Sequence, residues 1–405
     1  MLNKTNIDNP TSETPLTAAV ESPVSASEGE ATPSAPKKKY DRKALGFKNS
    51  KWKTFLLRMK LPLVLAYCRL LNITRPAIVV LTVNNNCNWN CSYCYGEYPS
   101  KGTEDNLSTE ELMTVIDDLA AAGCVYMIVH GGEALLRKDI GFLVDYIKTK
   151  GIYVGFVTNG QLFPKRIDDI RNIDSVTFSL DGREESNDKN RGVGTYDYTM
   201  TAIKLALKEG FKVRIQCTLT RHNKDEISHI AKLAKEVGFP VSFSILFRTS
   251  FTKPDDPLEL SGDEIRKCLN TIRDLKKDGY PLFTSEINLT AASLWPYEKF
   301  NKLFLTKEEV PKDFKPVPCF YTKLKFHFEG DGRITPCTVL SSNQFGGKNV
   351  REVGVREAIR HVQEANKCVA CPHLTQNEWN LLMGMSPRVV AINAWEQVKE
   401  LTRWY

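Results

Sequence analysis

From residue 77 onward, apolar runs alternate with amphipathic stretches. Residues 77–84, Ala-Ile-Val-Val-Leu-Thr-Val-Asn, are β-branched and largely apolar, the pattern of a strand buried on both faces. Similar short runs predict strands at 125–130, 153–157, 175–180, 213–218 and 241–247. Helical periodicity covers 138–148, 196–209, 225–237 and 264–277, and Ser108-Thr109-Glu110-Glu111 is a capping box opening a helix to residue 121. Strands alternating with helices predict an α/β fold, a TIM-like partial (β/α)6 barrel of parallel strands with one open side. Substrate would enter through that side, and functional loops would leave the C-terminal ends of the strands. Residues 286–318 are poorly patterned and read as a linker.

Ahead of the barrel the chain changes character twice. Residues 1–36 are rich in Ser, Thr, Pro, Ala and Glu and nearly free of large apolar side chains, the composition of a disordered tail. With no apolar h-region, the tail does not read as a secretory signal. Residues 37–60 then carry ten Lys and Arg against one acid, Asp41. That local excess of nine outweighs the +7 of the whole chain, so everything else sums to −2. Basicity confined to one segment argues against nucleic-acid binding by the catalytic body. Trp52, Phe55, Leu56, Met59, Leu63 and Tyr67 are interleaved with cations, and no uncharged run there approaches the ~20 residues that span a bilayer. Two readings stand for residues 37–67: peripheral contact with an anionic membrane surface, or a helix packed on the barrel with its lysines in water.

Cys87, Cys91 and Cys94 form a C-x3-C-x2-C set on the loop leaving the first predicted strand. Three thiolates so close can hold three irons of a 4Fe–4S cube and leave the fourth open to a small chelating ligand. Zinc is the alternative, although a closed zinc site wants a fourth ligand and no nearby His or Cys supplies one. The second predicted strand runs into Gly131-Gly132-Glu133, where two glycines allow close backbone approach and the carboxylate suits an ammonium group. Thr158-Asn159-Gly160 and Ser179-Leu180-Asp181-Gly182 follow at the ends of the next two strands. Taken singly, Ser179 and Asp181 could shape a turn and Arg191 could be a solvated arginine. His130 could be a satisfied core histidine, and no role is assigned to it.

In this order the motifs resemble those of the radical S-adenosylmethionine (radical SAM) superfamily. The resemblance implies that Cys87, Cys91 and Cys94 hold a 4Fe–4S cluster whose open iron is chelated by the methionine part of S-adenosylmethionine. It implies Gly131, Gly132 and Glu133 around the methionine amino group and Tyr93 near the adenine. Thr158, Asn159, Ser179 and Asp181 would face the ribose and carboxylate, and Arg191 the methionine carboxylate. The implied chemistry is reductive cleavage of S-adenosylmethionine to a 5′-deoxyadenosyl radical, which attacks an unactivated C–H bond or an alkene. An electron carrier or cluster scaffold, the non-enzymatic alternative, has no use for such a pocket.

Four more cysteines cluster late: Cys319, Cys337, Cys368 and Cys371. Residues 321–328 alternate as a half-buried strand should, Glu329-Gly330-Asp331-Gly332 supplies a turn, and the C-x2-C of Cys368 and Cys371 follows a helical stretch at 353–366. Four thiolates can fully ligate a second, auxiliary 4Fe–4S cluster, and a structural zinc is the alternative. The C-x12-G-x4-C spacing of Cys319, Gly332 and Cys337 resembles the opening of a SPASM extension. No cysteine follows Cys371, which resembles the shorter, one-cluster twitch form. Cys68, Cys124, Cys217 and Cys268 are scattered and read as core packers, and the absence of a disulfide framework suits a reducing cytoplasm.

The expected organisation is a tail (1–36), a basic amphipathic segment (37–76), a radical SAM core (77–285), a linker (286–318) and a small α+β twitch/SPASM-like cysteine-rich domain (319–405). The resemblance also implies a low-potential electron donor such as flavodoxin or ferredoxin. Location is expected in the cytoplasm, with the inner membrane surface as an added peripheral site. The substrate is unidentified: the basic segment suggests a lipid or isoprenoid, and the SPASM-like extension suggests a peptide or protein.

Overall fold

Among the described residues, eight strands form one sheet in the order β6-β5-β4-β3-β2-β1-β7-β8. The strands are β1 (Ile78–Thr82), β2 (Tyr126–His130), β3 (Tyr153–Thr158), β4 (Ser175–Ser179), β5 (Val213–Leu219), β6 (Val241–Ile245), β7 (Lys325–Phe328) and β8 (Ile334–Thr335). The helices used below are α1 (Lys51–Leu70), α2 (Thr109–Ala121), α3 (Ile140–Thr149), α4 (Glu184–Arg191), α5 (Thr195–Lys208), α6 (Ile227–Val237), α7 (Gly262–Lys277), α8 (Glu286–Ser293), α9 (Val350–Ala365) and α10 (Leu374–Met383). The computed structural model describes residues 40–47, 50–96, 98, 105–247, 257–297, 304–340 and 345–391. The disorder expected for 1–36 lies outside the described residues, as do parts of the basic segment and of the linker.

β1 to β6 pair in sequence order and in parallel, giving the partial (β/α)6 barrel. Their outward side chains, among them Val79, Leu81, Met127, Val154, Phe178 and Ile215, are buried in one core with the helices. Burying such a side chain fully stabilises by about 1.5–3 kcal/mol. α2 begins as its sequence requires: Ser108 Oγ accepts from Glu111 N at 3.2 Å, and the Glu111 carboxylate accepts from Ser108 N at 2.7 Å.

The inward side chains behave differently. Along β5 burial alternates strictly, with Arg214, Gln216 and Thr218 half-exposed between buried neighbours. Thr177 and Ser179 on β4 and Ser242 and Ser244 on β6 are half-exposed in the same way. An accessible lumen with a mostly polar wall therefore runs along β4, β5 and β6.

The late-cysteine region is joined to the barrel by the sheet itself. β7 pairs with β1 in parallel, Ile78 opposite Lys325, and β8 returns antiparallel to β7. The side expected to stand open is spanned by α10. Thr375 Oγ1 lies 2.8 Å from Ser244 Oγ at β6, and the Trp379 ring lies 4.4 Å from Lys325 Nζ at β7. The 286–318 stretch contributes α8, whose Ser285 cap and Asn288 donate to the buried Glu378 of α10.

α1 covers the opposite end of the barrel. Leu61, Leu65 and Cys68 pack on Ala77, Ile78, Val125 and Leu324, where strands begin. Among the described residues, no helix is long and apolar enough to cross a membrane.

Candidate active site

The loop carrying Cys87, Cys91 and Cys94 leaves the C-terminal end of β1 and is tied down on both sides. Asn84 O accepts from Gly132 N at 2.9 Å, and Asn86 O accepts from Glu133 N at 2.8 Å. A Cβ on Gly131 would lie 2.5 Å from Asn84 O, and one on Gly132 only 2.3 Å from Asn86 O. The glycines thus make room for the strand-exit backbone just before Cys87. Further along, Trp89 Nε1 donates to Gln161 Oε1 at 2.8 Å, and Asn159 Nδ2 donates to Asn88 Oδ1 at 2.9 Å. On the other flank Ser92 N donates to Asn190 O at 2.9 Å.

Beside Cys87 stands Glu133, 1% exposed. Its carboxylate accepts from Leu135 N at 2.9 Å, from Thr158 Oγ1 at 2.9 and 3.0 Å, and from Asn159 N at 2.8 Å. The side chain was expected to stand open to an ammonium group; instead it clamps the end of β3 to the glycine loop. Burial pushes its carboxyl up to about 7 despite these donors.

Beside Cys91 lies a second polar group. Tyr93 Oη donates to Asp181 Oδ2 at 2.6 Å, and Thr218 N donates to Asp181 Oδ1 at 2.9 Å. Arg191 Nη2 donates to Asp181 Oδ1 at 3.0 Å, and its Nε lies 2.9 Å from Oδ2. The guanidinium also sits 5.4 Å from the centre of the Tyr93 ring. Burial opposes the charge of Arg191, but Asp181, followed by Tyr93 and Cys91, more than offsets it and holds the group ionised. Ser179 ends β4 half-exposed on the lumen side, opposite Gln216.

Cys87 and Cys91 are pushed up, to about 12 and about 11, mainly by burial. As free groups they are neutral thiols, and a bound metal would displace their protons. Among the described residues, no three His, Cys, Asp or Glu side chains converge closely enough to hold one metal ion. Thiolates around a single zinc lie about 3.8 Å apart, from a Zn–S bond of about 2.3 Å. Three soft donors on one loop, without a fourth, suit a cube with one open iron.

The second cysteine set gathers from three elements: Cys319 before β7, Cys337 after β8, and Cys368 and Cys371 between α9 and α10. A hydrogen bond between the two thiols lowers Cys319 and raises Cys368, while burial raises Cys337 and Cys371. α10 backs the set: Asn377 Nδ2 donates to Cys371 O at 2.9 Å, and Asn380 Oδ1 accepts from Phe320 N at 2.8 Å.

Two features between the cysteine sets had no sequence signal. Tyr95, Phe247 and His373 form a chain of rings with centroids 6.1 and 4.7 Å apart, from the residue after Cys94 to the second after Cys371. Thr82 Oγ1 lies 3.1 Å from His130 Nε2 and 3.0 Å from His327 Nε2. Burial, then His327 and Lys325, pushes His130 down to about 3, so it is neutral.

Residues 81–234 match the family described as the radical SAM superfamily. The chain is similar to the Fe-coproporphyrin III synthase of Methanosarcina barkeri, 31% identical over 50% of this chain and about half (53%) of that protein's length. It is 28% identical to the GTP 3′,8-cyclase of Aliarcobacter butzleri over 71% of this chain and 88% of the cyclase. Among solved structures, Streptococcus suis SuiB bound to its precursor peptide SuiA shares the fold. The TM-score is 0.58, with 17% identity over 74% of this chain and 68% of SuiB.

Proposed function

We propose, from the match of residues 81–234 to the radical SAM superfamily, that the chain is an enzyme that modifies a C–H bond or an alkene of a polar substrate held in the barrel lumen. What carries the reading is one arrangement: a three-cysteine loop pinned between the Glu133 group and the Asp181–Arg191–Tyr93 group. When bound, the 4Fe–4S cluster and S-adenosylmethionine supply a 5′-deoxyadenosyl radical. Cys87, Cys91 and Cys94 hold that cluster. The Gly131-Gly132-Glu133 backbone receives the methionine amino group, because three protein donors already engage the Glu133 carboxylate. Thr158, Asn159 and Ser179 line the ribose side. Asp181 aims Tyr93 at the adenine and Arg191 at the methionine carboxylate, and their burial keeps water out. Cys319, Cys337, Cys368 and Cys371 hold a second 4Fe–4S cluster, and a low-potential donor such as flavodoxin or ferredoxin supplies electrons.

The lumen favours a peptide or protein over a lipid or isoprenoid. Thr177, Ser179, Arg214, Gln216, Thr218 and Ser244 offer hydroxyls, an amide and a guanidinium, partners for amide and carboxylate groups. A hydrocarbon chain would strip these groups of water and return no hydrogen bonds. SuiB, of the same fold, holds a precursor peptide, which supports the choice.

The test is anaerobic reconstitution, an iron count, and reduction in the presence of S-adenosylmethionine. Formation of 5′-deoxyadenosine is expected, and its absence in a fully loaded, reduced sample would end the enzyme reading. Comparison of peptide and lipid extracts from cells with and without the protein then decides the substrate. A mass change confined to the lipid fraction would overturn the peptide assignment.

A further inference from the structure

α1 has two apolar faces, and among the described residues only one is packed against the barrel. Leu61, Leu65 and Cys68 are buried against the barrel. Trp52, Leu56, Met59, Leu63, Tyr67 and Leu70 are 66, 50, 39, 67, 50 and 85% exposed. Their spacing is four, three, four, four and three residues, which at 3.6 residues per turn confines them to about 80° of the helix surface. The stripe is about 27 Å long at 1.5 Å per residue, and it points away from the face that packs on the barrel. A helix whose outer face only met water would carry its charges there.

Instead the charges sit on the shoulders of the stripe. Exposed Lys53 and Lys60 lie on one side and exposed Arg69 on the other. Lys60 Nζ reaches Gly151 O at 3.4 Å, and the Arg69 guanidinium lies 4.5 Å over the Phe320 ring. α1 contains five Lys and Arg and no acid. Thr54 Oγ1 donates to Asp174 Oδ1 at 2.8 Å, so the helix is fixed on the body. A second copy of this helix would bring like charges together, whereas anionic phospholipids complement both the stripe and its shoulders.

We propose that the outer face of α1 docks this protein on a bilayer rich in anionic phospholipid, lying in the interface without crossing it. Because α1 covers the end where strands begin, docking turns the cysteine rim away from the lipid. The substrate then arrives from the aqueous side, and attachment to a membrane does not imply a lipid substrate. This docking is independent of the chemistry proposed for the rim.

The experiment is co-sedimentation of the full, cluster-loaded chain with phosphatidylcholine vesicles, with and without phosphatidylglycerol. Binding to the anionic vesicles that weakens with salt is expected. A Leu56→Glu/Leu63→Glu variant, altered only at exposed positions, should bind them weaker by roughly tenfold or more. It should keep its iron content, circular dichroism and 5′-deoxyadenosine formation. Equal binding by the variant, no binding by the parent chain, or equal binding to neutral vesicles would each overturn the proposal. A dimer in light scattering that this variant dissociates would assign the face to a second copy instead.

Discussion

Asp181 offers the sharpest perturbation of the rim. It is fully buried, Arg191 beside it is 7% exposed, and Tyr93 and Thr218 complete its donors. Asp181→Asn preserves shape and one acceptor oxygen but leaves a buried guanidinium without its counter-charge. Removing one partner of a buried ion pair costs about 3–5 kcal/mol, and at 7% exposure solvent screening recovers little of it. The assay is urea unfolding of the metal-free chain under anaerobic, reducing conditions, scored as the midpoint shift times the slope. Arg191→Met and the double variant complete a cycle. The double variant should be less destabilised than the sum of the singles, by roughly 2–3 kcal/mol. A single-variant cost below about 1 kcal/mol, or additivity within about 0.5 kcal/mol, would show that the pair does not organise this side of the rim.

Other consequences can be checked in parallel. Cys87→Ala, Cys91→Ala or Cys94→Ala should abolish 5′-deoxyadenosine formation and remove about four irons of roughly eight, whereas Cys368→Ala should spare cleavage and block product. Gly132→Ala would set a methyl 2.3 Å from the Asn86 carbonyl, so backbone must move. A stability loss of about 1–3 kcal/mol is expected, with incomplete iron loading by colorimetric assay as its signature. Glu111, held by Arg351 first and by Ser108 next, has its carboxyl lowered to about 2 from an ordinary 4.5. A depressed carboxyl stabilises above its unfolded value and loses that contribution as pH falls from about 4.5 towards 2. Urea midpoints measured across that window should therefore fall less steeply in Arg351→Met than in the parent chain.

The strands were legible because β-branched runs bounded by polar turns are short-range signals. β1 to β6 fall within a residue or two of the predicted spans. The rim motifs were legible because each sits where a strand ends, so a parallel sheet brings Cys87, Glu133, Thr158 and Asp181 to one edge. What holds them was not legible. Asn84, Asn86, Asn88 and Asn190 tie the cysteine loop through partners remote in sequence, and single asparagines have no periodicity to betray them. Glu133 was expected to face a ligand because its chemistry allows it, but only the fold reveals three donors already around it. His130 finds its partner in Thr82 on the neighbouring β1, a hydroxyl that also meets His327 of β7, and neither contact has a short-range signal. α10 escaped notice because its amphipathic pattern is weak, although it spans the gap between β6 and β7.

The position of β1 between β2 and β7 bears on how the protein is made. One edge of β1 closes on a neighbour roughly 50 residues downstream, the other on a strand roughly 250 residues downstream. The longer closure costs only about 1.4 kcal/mol more in loop entropy, so equilibrium hardly notices it. Time does notice: at 5–20 residues per second, a ribosome needs on the order of 10–50 s to deliver β7 after β1 has emerged. Through that interval the strand bearing the cysteine loop keeps a bare hydrogen-bonding edge, open to wrong partners. The nascent chain is therefore most exposed to aggregation at the strand its chemistry depends on, and a terminating mutation ahead of residue 325 would make that exposure permanent.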